Sequence, residues 1–254
     1  MEINLLILLA TGVLVGASSG YIGSFMVLKR MSLVGDALSH VALPGMAIAL
    51  LYGFSPIYGA LIALSLAVVG IWYLGQHSEV YPEALVGVFF TASLAIGILI
   101  TPEPELLKAL FGNLENISIL DAIVTMTISV LIFLTTLKIA NNLLLGVVSE
   151  DLASSAGVKI SRVNLIYLLL VGIVVALGVK FVGTLLMGAL VIVPAAAAKN
   201  FTASVRSFQM TSIILGVLSV VAGTIIAKVL GITSGPAIVL VSVVFFIFSN
   251  FFKK

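Results

Sequence analysis

Asp36 and His40 sit four residues apart in a stretch, 33–51, that otherwise reads as an apolar membrane-spanning helix. Side chains at that spacing lie about one helical turn apart and share a face. An aspartate near a bilayer's centre costs about 2.5–3.5 kcal/mol on insertion scales, so a chain that keeps one there has a partner or a cargo for it. A carboxylate and an imidazole on one face suit a divalent metal cation. The competing reading is a structural pair, with the aspartate capping a helix start near Gly35 and the histidine hydrogen-bonded to it. Pro44 follows His40 by four residues and has no N–H to give, so the helix is expected to bend or open there and leave the His40 carbonyl as a third donor atom. Pro194 does the same to the carbonyl of Leu190. Ser39 is next to His40 but about 100° around the helix, so it is not expected to be a ligand. His77, in Gly75-Gln-His-Ser-Glu79, reads as solvated, and the scattered methionines read as packing.

The elements that position these residues follow from composition. Of 254 residues 61% are hydrophobic and 9% charged, with long apolar runs along the whole length, which marks a polytopic membrane protein. The fold expected is an all-α helical bundle forming one transmembrane domain over 1–254, because the stretches between runs, 102–118 and 139–162, are too short to bury a core of their own. The runs and their punctuation place about nine spans near 3–28, 33–52, 56–75, 84–101, 119–138, 163–179, 183–198, 208–228 and 235–252. The two around Lys180 read either as a pair of short helices or as one long, bent element. With the N-terminus outside and the C-terminus inside, nine of the 12 basic residues fall inside: Lys29, Arg30, Lys138, Lys159, Arg162, Lys199, Arg206, Lys253 and Lys254. Lys108, Lys180 and Lys228 fall outside, where the last two are expected to snorkel to an interface. Without cysteine there is no disulfide, thiolate ligand or cysteine nucleophile. Met1 and Glu2 precede the first run with no basic leader, so a cleaved signal is not expected.

Three further features bear on mechanism. Gly12, Gly16 and Gly20 form a small-residue stripe that lets another helix approach closely. Gly16-Ala-Ser18-Ser-Gly20 also fits the G-x-S-x-G pattern of serine hydrolases, which makes an intramembrane serine protease a distant alternative. Ser149 is a plausible N-cap followed by Glu150 and Asp151 in a first turn, with Gly157 as the stop. The short helix this implies, on the basic side within 147–162, carries Leu152, Ala153 and Ala156 as a small apolar face suited to another protein's groove. The acidic bias of Glu103, Glu105 and Glu115 against Lys108 on the opposite side suits a cation or a partner's basic patch, although a solvated surface is the commoner explanation.

The stretch Val27-Leu-Lys-Arg-Met31-Ser-Leu-Val-Gly35-Asp-Ala-Leu-Ser-His40-Val-Ala-Leu-Pro-Gly45 resembles the signature of permease subunits of bacterial ABC importers for zinc and manganese. Val182-Gly-Thr-Leu-Leu-Met-Gly-Ala-Leu-Val-Ile-Val-Pro194-Ala-Ala-Ala-Ala is similar to that family's late-span motif, and Ser149-Glu-Asp-Leu-Ala-Ser-Ser-Ala-Gly157-Val to its cytoplasmic coupling segment. The resemblance implies a homodimeric pore in the bacterial cytoplasmic membrane, a separate ATP-hydrolysing subunit in two copies, and an extracytoplasmic metal-binding protein. It also assigns the ATPase contact to the segment holding Glu150, Asp151, Leu152, Ala153, Ala156 and Gly157. Nothing resembling G-x-x-x-x-G-K-[ST] occurs, so this chain is not expected to be an enzyme and its energy must come from a partner. The function expected is transport of zinc, manganese or ferrous iron, with Asp36 and His40 holding the ion, Pro44 and Pro194 breaking helices along the path, and no permanent cofactor or nucleic-acid partner. An ion-coupled secondary carrier, with Asp36 and His40 as a proton relay, is the alternative.

Overall fold

The computed structural model describes residues 2–80, 82–100, 119–184 and 186–252. Among these, every regular element is a helix: α1 Glu2–Leu28, α2 Val34–Leu51, α3 Pro56–His77, α4 Pro82–Ile100, α5 Ile119–Val148, α6 Glu150–Ser155, α7 Ile160–Val182, α8 Met187–Phe201, α9 Val205–Leu230 and α10 Ser234–Ser249, closed by a 3-10 turn over Asn250–Phe252. Seven of these are long and apolar enough to cross a membrane, and the apolar stretches Ala84–Ile100 and Met187–Phe201 are shorter. About 20 residues span the hydrocarbon of a bilayer. Each of the expected spans has its helix, with one long extension, one alternative decided and one expected opening absent. The span ending at Lys138 runs on to Val148, because an exposed lysine does not stop a helix whose next break is the Ser149 cap. The pair around Lys180 is two helices, separated at Gly183, whose φ of 86° ends α7. Pro44 and Pro194 leave α2 and α8 helical throughout, so the expected opening gives way to a continuous helix: both rings are buried, and neighbouring helices hold the chain on either side. The acidic loop residues Glu103, Glu105, Lys108 and Glu115, together with Lys253, Lys254 and the Lys180 side chain, lie outside the described residues.

Glycine sets how the helices meet. The stripe on α1 packs against α9: a Cβ on Gly16 would come within 2.8 Å of the Gly216 carbonyl oxygen, one on Gly12 would meet Val220, and one on Gly20 would strike the carbonyl of Ser212. Ser212 Oγ donates to the Gly20 carbonyl at 2.6 Å, fixing the register of the pair. α2 and α3 approach as closely, since a Cβ on Gly45 or Gly59 would strike the other's carbonyl. α7 is threaded through the core, with fully buried Tyr167 donating its hydroxyl to the Ile22 carbonyl of α1 at 3.0 Å. Ser18 lies mid-helix in α1 and donates to the Val15 carbonyl. That geometry lacks the strained turn a hydrolase nucleophile needs and fits the packing stripe instead.

Helix ends are built by a repeated device. After α2, α6 and α9 the chain turns through Gly53, Gly157 and Gly231 at positive φ, and the next residue's N–H reaches back to Ala49, Ala153 and Ala227 respectively. α1 ends the same way, with Met31 N–H bonded to the Met26 carbonyl and Arg30 N–H to that of Val27, but its left-handed residue is Arg30 at φ 58°. A residue with a Cβ is uncommon there. Gly216→Val is expected to cost about 1–3 kcal/mol by overpacking the α1–α9 contact, read as a lower melting midpoint in detergent. Gly87→Ala, where nothing lies within 4 Å, is expected to keep or raise that midpoint.

Candidate metal pathway

Asp36 stands in the first turn of α2 and His40 one turn further on, as the sequence spacing requires. Asp36 is half-buried, whereas His40 is only 8% exposed. Asp36 is therefore within α2 and does not cap it; Leu33 occupies the cap position without a side-chain bond. The structural-pair reading asked for a hydrogen bond to the histidine. His40 Nδ1 is instead buried without a hydrogen-bond partner among the described residues. A buried polar atom left so is costly, and an approaching ligand would satisfy it.

Two other helices and a link between helices hold this pair. From α4, the Phe90 ring meets the imidazole edge-on, with centroids 5.1 Å apart and planes at 75°. α4 also brings Gly97 to within van der Waals reach of Leu43 and Pro44. From α8, Gly188 presses on the aspartate: a Cβ there would lie 2.7 Å from both Cα and Cβ of Asp36. The short link from α7 to α8 supplies the last hold, because fully buried Ser39 Oγ lies 2.6 Å from the Thr184 carbonyl and 2.6 Å from the Asp36 carbonyl. The Ser39 hydroxyl pins the turn that carries Asp36 and His40 to the α7–α8 link. The sequence signal for it was weak: a small polar residue on the helix face away from the pair.

Among the described residues, no group of three or more His, Cys, Asp or Glu is placed to hold a metal ion. One copy of the chain thus offers one carboxylate, one imidazole and the His40 carbonyl, which Pro44 deprives of its helical donor. Pro194 lies deeper in α8, six residues past Gly188, and is buried. His77 is exposed at the end of α3, stacked on Tyr73 at 4.2 Å with Nδ1 2.8 Å from the Tyr73 carbonyl. Lys228 is exposed in the last turn of α9.

Between α5 and α7, α6 forms where the sequence placed it. Ser149 Oγ accepts from Leu152 N–H at 3.3 Å, Glu150 and Asp151 fill the first turn, and Gly157 stops the helix at φ 79°. Its apolar face is divided. Leu152 is 62% exposed and Ala156 is exposed, whereas Ala153 is completely buried in the chain itself. Ala153 therefore roots the helix, and the face open to another molecule is that of Leu152 and Ala156.

The ABC 3 transport family model matches residues 3–253. The chain is 32% identical over 250 residues to the manganese transport system membrane protein MntC of Halalkalibacterium halodurans, covering 96% of this chain and 86% of that one. It is 32% identical over 254 residues to the high-affinity zinc uptake system membrane protein ZnuB of Haemophilus influenzae, covering 97% and 96%. A solved structure of PsaBC from Streptococcus pneumoniae in complex with a Fab superposes with a TM-score of 0.87 at 30% identity, over 99% of this chain and 92% of that one.

Ser39→Ala is expected to cost about 1–3 kcal/mol by removing a donor from buried carbonyls. Limited proteolysis and a detergent melt would both register the loss, and Ser39→Thr, which keeps the hydroxyl, is expected to restore most of it.

Proposed function

This chain belongs to the ABC 3 transport family, and on that premise we propose which of its residues carry the metal ion and which receive the energy to move it. It is the membrane permease subunit of an ABC importer for a divalent transition metal. The substrate class is zinc, manganese or ferrous iron: the relatives carry manganese and zinc in their names, and carboxylate with imidazole suits all three. A cuprous site would favour sulfur ligands, and the chain has no cysteine.

Asp36 and His40 hold the ion in passage. The observation that carries this reading is the buried, unpartnered His40 Nδ1 one turn from an aspartate, in a helix otherwise built of apolar residues. Two side chains and a carbonyl do not close a site on a divalent cation, which takes four to six or more donors. A second copy of the chain across a two-fold axis would repeat the pair, and a homodimer is the assembly we propose. Sharing few donors keeps binding weak enough for release, as conduction requires.

Energy comes from a separate ATP-hydrolysing subunit seated on α6, with Glu150 and Asp151 at its start, Leu152 and Ala156 offered outward, and Gly157 ending it. An extracytoplasmic metal-binding protein delivers the cargo on the opposite side. The membrane is the bacterial cytoplasmic membrane, with the N-terminus outside and the C-terminus inside, which places nine of the 12 basic residues inside.

The test is metal uptake into vesicles holding the permease with its ATPase and binding protein, supplied with zinc, manganese or iron. Asp36→Asn and His40→Ala are each expected to abolish ATP-dependent uptake while the assembled complex still copurifies. Uptake retained in both would remove the pair from the path, and uptake that persists without ATP but collapses with the proton gradient would replace the importer with a carrier. Leu152→Asp is expected to do the reverse, abolishing copurification of the ATPase while the permease remains folded. Copurification at wild-type yield would show that α6 is not the docking helix.

A further inference from the structure

Directly after α6, the first turn of α7 gathers the inner ends of two other helices. Asn164 Oδ1 accepts from Lys29 Nζ at 2.9 Å, across 135 residues of sequence. One turn earlier, Ser161 holds α3: Trp72 Nε1 donates to its carbonyl at 3.0 Å, and Gln76 Nε2 donates to its hydroxyl. α6 and α7 are themselves fused. Gly157 turns the chain, Val158 N–H returns to the Ala153 carbonyl at 3.0 Å, Ile160 N–H bonds the Val158 carbonyl at 2.9 Å, and Ala153 is completely buried. The short helix and the start of α7 are thereby tied into one piece.

The two helices held by that piece flank α2 in sequence. Lys29 follows the last residue of α1, and the next residue, Arg30, takes the left-handed conformation that the other three helix-end turns of this kind give to glycine. Four residues beyond Arg30, α2 begins. A strained residue of this kind persists where its surroundings over-determine it, and here one such hold is the Lys29–Asn164 bond beside it. Burial pulls the Lys29 ammonium below the ordinary lysine range, and the Glu150 carboxylate at the start of α6 opposes that. The lysine thus answers to groups on both α6 and α7 while it anchors the turn into α2.

We propose that the Lys29–Asn164 bond is the joint through which movement of α6 reaches the helix carrying Asp36 and His40, so that Lys29 and Asn164 are positioning residues of the transport cycle. This rests on the reading that α6 docks the ATPase. When α6 moves, α7's first turn moves with it, the Lys29 ammonium is carried along, and the Arg30 turn passes the displacement to α2. The Ser161 contacts with Trp72 and Gln76 move the end of α3 in step, so α2 is displaced from both of its sequence neighbours rather than sheared against one.

The test compares metal transported per ATP hydrolysed, in vesicles holding permease, ATPase and manganese- or zinc-loaded binding protein. Asn164→Leu removes the acceptor and is expected to leave copurification of the ATPase and ATP hydrolysis in place while transport per ATP falls about tenfold or more, within the range of inter-site couplings. Asn164→Asp keeps an acceptor for the ammonium and is expected to restore it. A merely structural role would lower yield or melting midpoint without changing that ratio. Should Asn164→Leu fail to assemble, Lys29→Met reads the same bond from its other end. Wild-type transport per ATP in whichever variant assembles overturns the joint and leaves the docking reading intact. Wild-type copurification of Leu152→Asp overturns the docking reading, and the joint with it.

Discussion

A bilayer gives an apolar helix little reason to prefer a neighbour over lipid, so this fold depends on backbones that approach more closely than side chains would allow. Gly16 against Gly216, Gly45 against Gly59 and Gly188 against Asp36 are the same contact used three times. The first two bring whole helices together. The third sets the site, since a side chain at 188 would come within 2.7 Å of the Asp36 Cα and Cβ, inside van der Waals contact, so that the aspartate, and α2 with it, would have to shift. The small residues of α1 and the Asp36–His40 pair of α2 are therefore parts of one packing arrangement.

Polar bonds between helices then fix what dispersion alone leaves free to slide. Ser212 to Gly20, Tyr167 to Ile22 and Ser39 to Thr184 each join distant segments through one side-chain hydroxyl and one backbone carbonyl. In model systems such bonds contribute about 0.6–2 kcal/mol each in a membrane. Their value here is in register more than in strength, because each sets how far one helix is advanced along another. Among the described residues, the buried side-chain atoms left without a hydrogen-bond partner are Ser19 Oγ, Ser129 Oγ, Gln209 Nε2 and His40 Nδ1, and of these the imidazole nitrogen is the one a carboxylate accompanies one turn away.

The two ends of the α7–α8 region bear on α2 from different directions. The start of α7 holds Lys29, just before α2 begins, and the link to α8 holds Ser39 within it. α2 is thus gripped at its entry and beside Asp36 and His40 by one continuous stretch that follows directly on α6. A left-handed arginine between the grips is a backbone held away from its comfortable conformation, and a small shift at either grip changes what holds it.

Much of this was legible in the amino-acid order. Apolar runs broken by Gly, Pro and charge located the helices, because a lipid-exposed helix must be apolar over its whole length whatever it packs against. The four-residue spacing of Asp36 and His40, the Ser149 cap and the Gly157 stop are local hydrogen-bonding and steric facts, and these carried through unchanged. What failed was also local reasoning: Pro44 and Pro194 argue for open helices only until neighbours pack around them, and Lys138 argues for a helix end only if charge rather than capping decides one. Gly188, Asn164 and the burial of Ala153 had no sequence signal and Ser39 had a weak one, since a serine, a glycine, an asparagine and an alanine acquire their roles from the segment they meet. Spans that are apolar all round show no preferred face. Their pairing was decided by which glycines could admit which carbonyls, and only the tertiary structure determines that.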